Sequence, residues 1–205
     1  MENNIFNVIG IERHRLTTDG NGVTTLVGLS GCPLKCEYCI NKEVLAKKKP
    51  NKTNCMKLLE NVIQDYCYFV ATNGGITFGG GESLLHYQQI KEFVKILPPN
   101  VSINVETSLN VDPIAVESLL DDVTEWIIDI KDMNPIIYEK YTQLSQKKVI
   151  KNLSILEEHN LQNKCTIRVP LIPNYNTIKD RKKSINWLHQ HGFNNLDVFD
   201  YVIKN

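Results

Sequence analysis

The sequence predicts an α/β fold, an open, partial (β/α)6 barrel whose parallel sheet is wrapped by outer helices. Three observations point to it. Short β-branched runs alternate with longer amphipathic ones along the 205 residues, and repeated βα units build parallel sheets with right-handed crossovers. The units number about six, too few for the usual eight-unit barrel. Polar clusters follow the strands, where ligands bind in either architecture. No repeat, low-complexity segment or linker interrupts the pattern, so residues 1–205 are expected to form one domain.

The elements follow in order. Residues 23–29 (VTTLVGL) read as a buried strand that runs into a group of cysteines. Residues 54–70 carry Met56, Leu58, Leu59, Val62 and Ile63 at helical spacing, with Thr53 or Asn54 as the cap. A strand at 75–78 precedes a helix at 83–96, which Pro98 and Pro99 end. A strand at 101–106 leads to a helix at 113–120, and a strand at 125–129 to helices at 135–141 and 148–159. The chain closes with a strand at 165–171, a helix at 177–191 and a strand at 196–202.

Composition narrows the function classes. Lys plus Arg is 23 and Asp plus Glu is 23, giving a net charge of zero and no support for long-range attraction to nucleic acid or membrane. The basic runs 47–49 and 181–183 are expected to be solvated faces. The opening MENNIFNVIG lacks the basic and apolar regions of a signal peptide, and no 18-residue apolar span occurs. The chain is expected to be soluble and cytoplasmic.

Three of the six cysteines lie in Cys32-x3-Cys36-x2-Cys39. In a reducing compartment such a group is more readily a metal site than a disulfide framework. Three thiolates this close can cap three irons of one cubane, leaving the fourth open to a substrate. The spacing also admits a structural zinc that recruits His14 or His86, or three free thiols in a loop. Cys55, Cys67 and Cys165 read as small buried hydrophobes.

Other polar groups sit at strand ends. Gly79-Gly80-Gly81-Glu82 lets the backbone approach a ligand, and an acid beside bare backbone suits an ammonium; a tight turn before the helix is the plainer alternative. Asp129 and Lys131 are two residues apart on one strand and share a face, as a ligand-binding pair or as a solvated end. Arg168 is a lone charge inside the apolar run 167–172.

Taken together, these segments resemble a known family. Cys32-x3-Cys36 with Tyr38-Cys39 resembles the signature of radical S-adenosylmethionine (SAM) enzymes. The likeness extends to the activating enzymes of glycyl radical enzymes, the pyruvate formate-lyase activase type. Asp19-Gly20-Asn21-Gly22 is similar to their DGPG, and Cys39-Ile40-Asn41 to their CHN. Ile76 to Leu85 (ITFGGGESLL) is similar to their VTFSGGEPLL, Asp129-Ile130-Lys131 and Tyr141-Thr142 to their DLK and YTG, and Ile167 to Pro173 to their IRIPLIP. These motifs cover residues 5–180 in order.

The resemblance implies a radical SAM barrel with a [4Fe-4S] cluster on Cys32, Cys36 and Cys39. It places Tyr38 and Asn41 beside the cofactors, and Gly80, Gly81 and Glu82 at the amino group of SAM. Glu106, Thr107 and Asp129 would hold a monovalent cation, and Lys131 and Arg168 would meet the carboxylate and ribose. The implied reaction is reductive cleavage of SAM to methionine and a 5′-deoxyadenosyl radical, which takes hydrogen from a backbone glycine of a partner glycyl radical enzyme. Flavodoxin or ferredoxin would donate the electron. No inserted ferredoxin-like stretch with further cysteine clusters is present.

Departures also stand out. Ser83, Thr24, Asp132 and Gln143 replace the usual Pro, Arg, His and Gly, and residues 199–202 lack the His often found against the ligand. The changes at Asp132 and Gln143 would alter the partner-facing surface. They keep open a radical SAM enzyme acting on a peptide, nucleoside or small metabolite. A non-catalytic iron–sulfur or zinc module is the reading from a different class.

Overall fold

A single eight-stranded sheet runs in the order β3-β1-β2-β4-β5-β6-β7-β8. The computed structural model describes residues 4–47 and 49–202. The six expected strands are present as β2 (Val23–Leu29), β4 (Gly75–Gly80), β5 (Ser102–Thr107), β6 (Glu125–Asp129), β7 (Cys165–Leu171) and β8 (Leu196–Asp200). Each pairs in parallel with the next, from Thr24 opposite Gly75 to Leu171 opposite Asp200. All their carboxyl ends therefore lie along one edge of the sheet.

Two strands lie outside the repeating βα pattern. β1 (Ile5–Leu16) pairs antiparallel with β2, and β3 (Asn51–Asn54) antiparallel with β1. The hairpin between β1 and β2 turns inward. Thr77 Oγ1 donates to the Asp19 carbonyl, Asn104 Nδ2 reaches it at 3.4 Å, and the Asp19 side chain is buried against Arg15.

The helices are α1 (Lys42–Lys47), α2 (Cys55–Val62), α3 (Tyr66–Thr72), α4 (Tyr87–Val94), α5 (Pro113–Glu117), α6 (Pro135–Thr142), α7 (Lys147–Glu158) and α8 (Ile178–Gln190). Asn54 caps α2 by accepting from the Lys57 N–H at 2.8 Å. The helix expected over 54–70 is broken by a 3-10 turn at Ile63–Asp65. At this break the buried Asp65 takes hydrogen bonds from Arg13 and His14 of β1 and Thr25 of β2, tying the antiparallel edge to the helical layer.

The helix expected over 83–96 opens as a 3-10 turn, Ser83–His86, with Glu82 Oε1 accepting from the Leu84 N–H. The helix expected over 113–120 ends at Glu117, and the last strand at Asp200. Cys55 and Cys165 are buried as expected, but Cys67 is exposed, because α3 turns Phe69 rather than Cys67 into the core. Of the two basic runs, 47–49 includes Lys48, outside the described residues, whereas Arg181 pairs with Asp200 at 2.6 Å.

The core fills the space between sheet and helices. Phe6, Phe78 and Phe93 meet as one stacked and two edge-on pairs, with ring centroids 5.6, 6.0 and 5.7 Å apart. Trp126 and Tyr138 are buried as well. Among the described residues no helix is long and apolar enough to cross a membrane.

Candidate functional site

The cysteines occupy the loop that leaves β2, at the carboxyl edge of the sheet. Glycine begins this loop because Gly31 has φ +89°, a left-handed value that a side chain would strain. The sheet's bonding continues into the loop: Gly81 N–H donates to the Leu29 carbonyl at 2.9 Å and Glu82 N–H to Gly31 at 2.7 Å. Asn41 Nδ2 donates to the Gly80 carbonyl at 2.7 Å, and Lys35 N–H to the Thr142 carbonyl at 3.0 Å. On the far side, Asn174 Nδ2 donates to Tyr38 Oη at 3.2 Å, and Tyr175 Oη donates to Glu37. Tyr38 packs against Tyr141 and Tyr175. The loops after β4 and β7 and the end of α6 thus all grip the cysteine loop.

Cys36 and Cys39 are half-buried and Cys32 is exposed. Burial raises the Cys36 thiol, with Lys131 acting in the opposite direction. Both histidines that a zinc site would recruit are engaged elsewhere, His14 with Asp65 at 2.9 Å and His86 with the Ser30 carbonyl at 3.0 Å. Among the described residues no three His, Cys, Asp or Glu side chains gather around one ion position. A cubane asks for something else, because its three thiolates each meet a different iron. The donor set, three cysteines on one tethered loop with no histidine among them, fits that cluster.

Glu82 is 1% exposed. Its carboxylate accepts from Thr107 Oγ1 at 2.6 Å, Ser108 Oγ at 2.6 Å, Ser108 N–H at 2.9 Å and Leu84 N–H at 3.2 Å. Burial raises its pKa despite these four donors, all of them neutral. Such an acid is fully hydrogen-bonded yet has no cation paired with it among the described residues. The loop supplying Ser108 is itself held: Leu109 stands at φ +57°, and Asn152 Nδ2 bonds the carbonyls of Leu109 and Val111 at 2.8 and 3.1 Å.

The remaining charged candidates form two pairs. Arg168 Nη1 meets Glu106 Oε1 at 2.8 Å, and Arg168 Nη2 donates to the Thr18 carbonyl. Gly79 leaves the room Glu106 needs, for a Cβ there would lie 2.3 Å from its carboxylate. Lys131 Nζ lies 3.3 Å from Asp129 Oδ1 and donates to Tyr201 Oη at 3.2 Å. Burial works against the Lys131 ammonium, but Asp129, Tyr201 and Cys36 outweigh it and hold the pKa high.

Glu106, Thr107 and Asp129, the trio expected around a cation, are thus bonded to Arg168, Glu82 and Lys131 respectively. Ser108 and Tyr201 were not singled out from the sequence. Ser108 had a local signal, adjacency to Thr107, whereas Tyr201 reaches Lys131 only through the pairing of β7 with β8. Asp132 corrects another expectation. It is 2% exposed and accepts from Asn134 N–H at 2.8 Å and Asn176 Nδ2 at 3.0 Å, so it braces loops instead of facing a partner.

Comparison with known proteins shows the family. Residues 26–188 match the Radical SAM superfamily. The pyruvate formate-lyase-activating enzyme of Listeria monocytogenes is 30% identical over 85% of this chain and 71% of its own length. The (2S)-3-sulfopropanediol dehydratase activating enzyme of Klebsiella oxytoca is 27% identical, covering 84% and 72%. Among solved structures, Streptococcus suis SuiB superposes with TM-score 0.68 at 14% identity over 88% of this chain, a likeness of fold. The chain spans 40% of that structure's length. A three-cysteine loop at the carboxyl edge of a parallel sheet, matched over most of its length, identifies the chain as a radical SAM enzyme that works with a [4Fe-4S] cluster and SAM and is related to the activating enzymes of glycyl radical enzymes.

Proposed function

We propose that the chain activates a glycyl radical enzyme. A bound cluster, reduced by one electron from a flavodoxin or ferredoxin, would supply the electron for cleavage of SAM to methionine and a 5′-deoxyadenosyl radical, which would take hydrogen from a backbone glycine of the partner. The observation that carries this reading is the convergence at one sheet edge. The cysteine loop is bonded directly to the Glu82 loop, and Lys131 stands within electrostatic reach of Cys36.

The residues divide the work. Cys32, Cys36 and Cys39 would hold the cluster, which would bind SAM. Glu82, with the backbone of Gly80 and Gly81, receives the ammonium. Lys131 takes the carboxylate and Arg168 the ribose. Tyr38 and Asn41 shape the cofactor edge of the loop, Asn41 through its bond to the Gly80 carbonyl. A monovalent cation among Glu106, Thr107 and Asp129 would compete with the bonds those residues make to Arg168, Glu82 and Lys131. No acid–base pair is required; the protein orients the reacting carbon and keeps water away.

The test uses anaerobically reconstituted protein. With dithionite and SAM it should release 5′-deoxyadenosine, and Cys36→Ser should release none. With the right partner, electron paramagnetic resonance should show a glycyl radical. Turnover of SAM that yields a modified peptide or metabolite and no glycyl radical would move the assignment to another substrate. A protein that holds no cluster, or whose cluster signal ignores SAM, would overturn the assignment.

A further inference from the structure

One buried acid has no place among the cofactor contacts. Asp132 follows Lys131 in the loop after β6 and is 2% exposed. Its Oδ1 accepts from Asn134 N–H at 2.8 Å and from Ser184 Oγ of α8 at 3.3 Å. Its Oδ2 accepts from Asn176 Nδ2, in the loop after β7, at 3.0 Å. All three donors are neutral, and a carboxylate is costly to bury on such terms.

The chemistry at Asn176 explains why an acid stands there. Asn176 Oδ1 accepts from Ile172 N–H at 2.6 Å, and Nδ2 donates to the Pro170 carbonyl at 3.2 Å. Those two bonds fix the orientation of the amide, which turns its remaining N–H toward position 132. Only an acceptor can answer it, and Asn134 N–H demands a second acceptor from the same side chain. A carboxylate supplies both; a carboxamide supplies one acceptor and one donor group.

The bond reaches the cysteines in two further steps. Asn176 closes a tight turn in which Tyr175 N–H donates to the Ile172 carbonyl at 3.1 Å. From that turn Asn174, at φ +67°, donates through Nδ2 to Tyr38 Oη at 3.2 Å, and Tyr175 Oη donates to Glu37. Glu37 and Tyr38 lie between Cys36 and Cys39. The loop after β7 thus joins a buried acid after β6 to the cysteine loop. Tyr175 also packs on Tyr141, with ring centroids 4.8 Å apart, so losing the acid loosens this grip without releasing it.

We propose that Asp132 is a positioning residue which, through Asn176, holds the segment between Cys36 and Cys39 in the conformation that retains the cluster. The inference rests on the reading that these cysteines hold the cluster, and it extends that reading to a residue outside the cofactor contacts.

The test follows loss of the cluster from anaerobically loaded protein in excess EDTA, by the fading of its visible absorption, with urea midpoints measured alongside. Asp132→Asn sets amide against amide and Asn176→Asp sets acid against acid; each should speed the loss about fivefold. The double variant again places a donor opposite an acceptor and should lie within about twofold of wild type. Tyr175→Phe leaves the buried pair alone and should speed the loss about threefold at the wild-type urea midpoint. Asp65→Asn controls for stability: its urea midpoint should fall while its cluster is lost as slowly as in wild type. Loss at the wild-type rate in Asp132→Asn, a double variant no slower than the singles, or equal acceleration in Asp65→Asn would overturn the proposal. If wild type itself holds no cluster, the cysteine reading falls; if wild type holds one and the variants match it, only the role of Asp132 falls.

Discussion

Asp65 and Glu82 are both buried carboxylates, but their surroundings drive them in opposite directions. Asp65, at the break between α2 and α3, faces a cation, Arg13 Nε at 2.8 Å, and is also bonded to His14 Nε2 at 2.9 Å and Thr25 Oγ1 at 2.7 Å. Hydrogen bonding from Arg13 is the largest cause that pulls its pKa down to about 2, against the effect of burial. Glu82 has four donors, but all are neutral, and burial wins. Hydrogen bonds alone do not compensate a buried charge as an adjacent cation does. One acid is finished as a structural pin; the other has only neutral donors among the described residues.

The largest expected effect is at the unfinished acid. Glu82→Gln should weaken SAM binding about a hundredfold, measured by anaerobic equilibrium dialysis, while circular dichroism still reports a folded chain. Asp65→Asn should do the reverse, lowering the Tm by about 5 °C and leaving SAM affinity at the wild-type level. A loss of SAM binding there, or a collapse of the fold in Glu82→Gln, would break the contrast. The pH dependence sharpens it. With a folded pKa near 2 and an ordinary value of 3.8, the stabilisation from Asp65 is complete above pH 4 and disappears as pH falls toward 2. Urea midpoints of wild type and Asp65→Asn should therefore converge over that interval. The contribution of Glu82 has the opposite sign: it is fullest below the ordinary carboxyl pKa and is lost as pH rises through the raised value.

Smaller changes refine the picture. Ser108→Ala removes one of the neutral donors to Glu82 and should weaken SAM about fivefold, with the Tm close to that of wild type. Gln143 serves as a control on backbone strain. It is exposed and caps α6 at φ +63°, so Gln143→Gly should add about 1 kcal/mol of stability and leave SAM binding unchanged.

The parallel part of the fold was legible because each βα unit carries its own signal: β2, β4, β5, β6, β7 and β8 are short β-branched runs next to turn residues. β1 was not, for its charged end, Glu12 to Arg15, interrupts the apolar pattern, and two register shifts break the pairing with β2. β3, reading NKTN, has almost no strand propensity and exists through its pairing with Ile5 to Val8. The site was legible where motif residues are contiguous, as from Gly79 to Glu82. The pairings that decide its electrostatics are long-range. Tyr201 is 70 residues from Lys131 and Arg168 is 62 from Glu106, and no periodicity reports such contacts.

The bonds that continue the β2–β4 ladder past Leu29, to Gly31, have a dynamic consequence. Because the amides of Gly81 and Glu82 are spent on the start of the cysteine loop, that end of the loop cannot loosen without unzipping the centre of the sheet. Deuterium should enter these two amides only as slowly as the whole domain opens, so the cysteine loop inherits the kinetic persistence of the core.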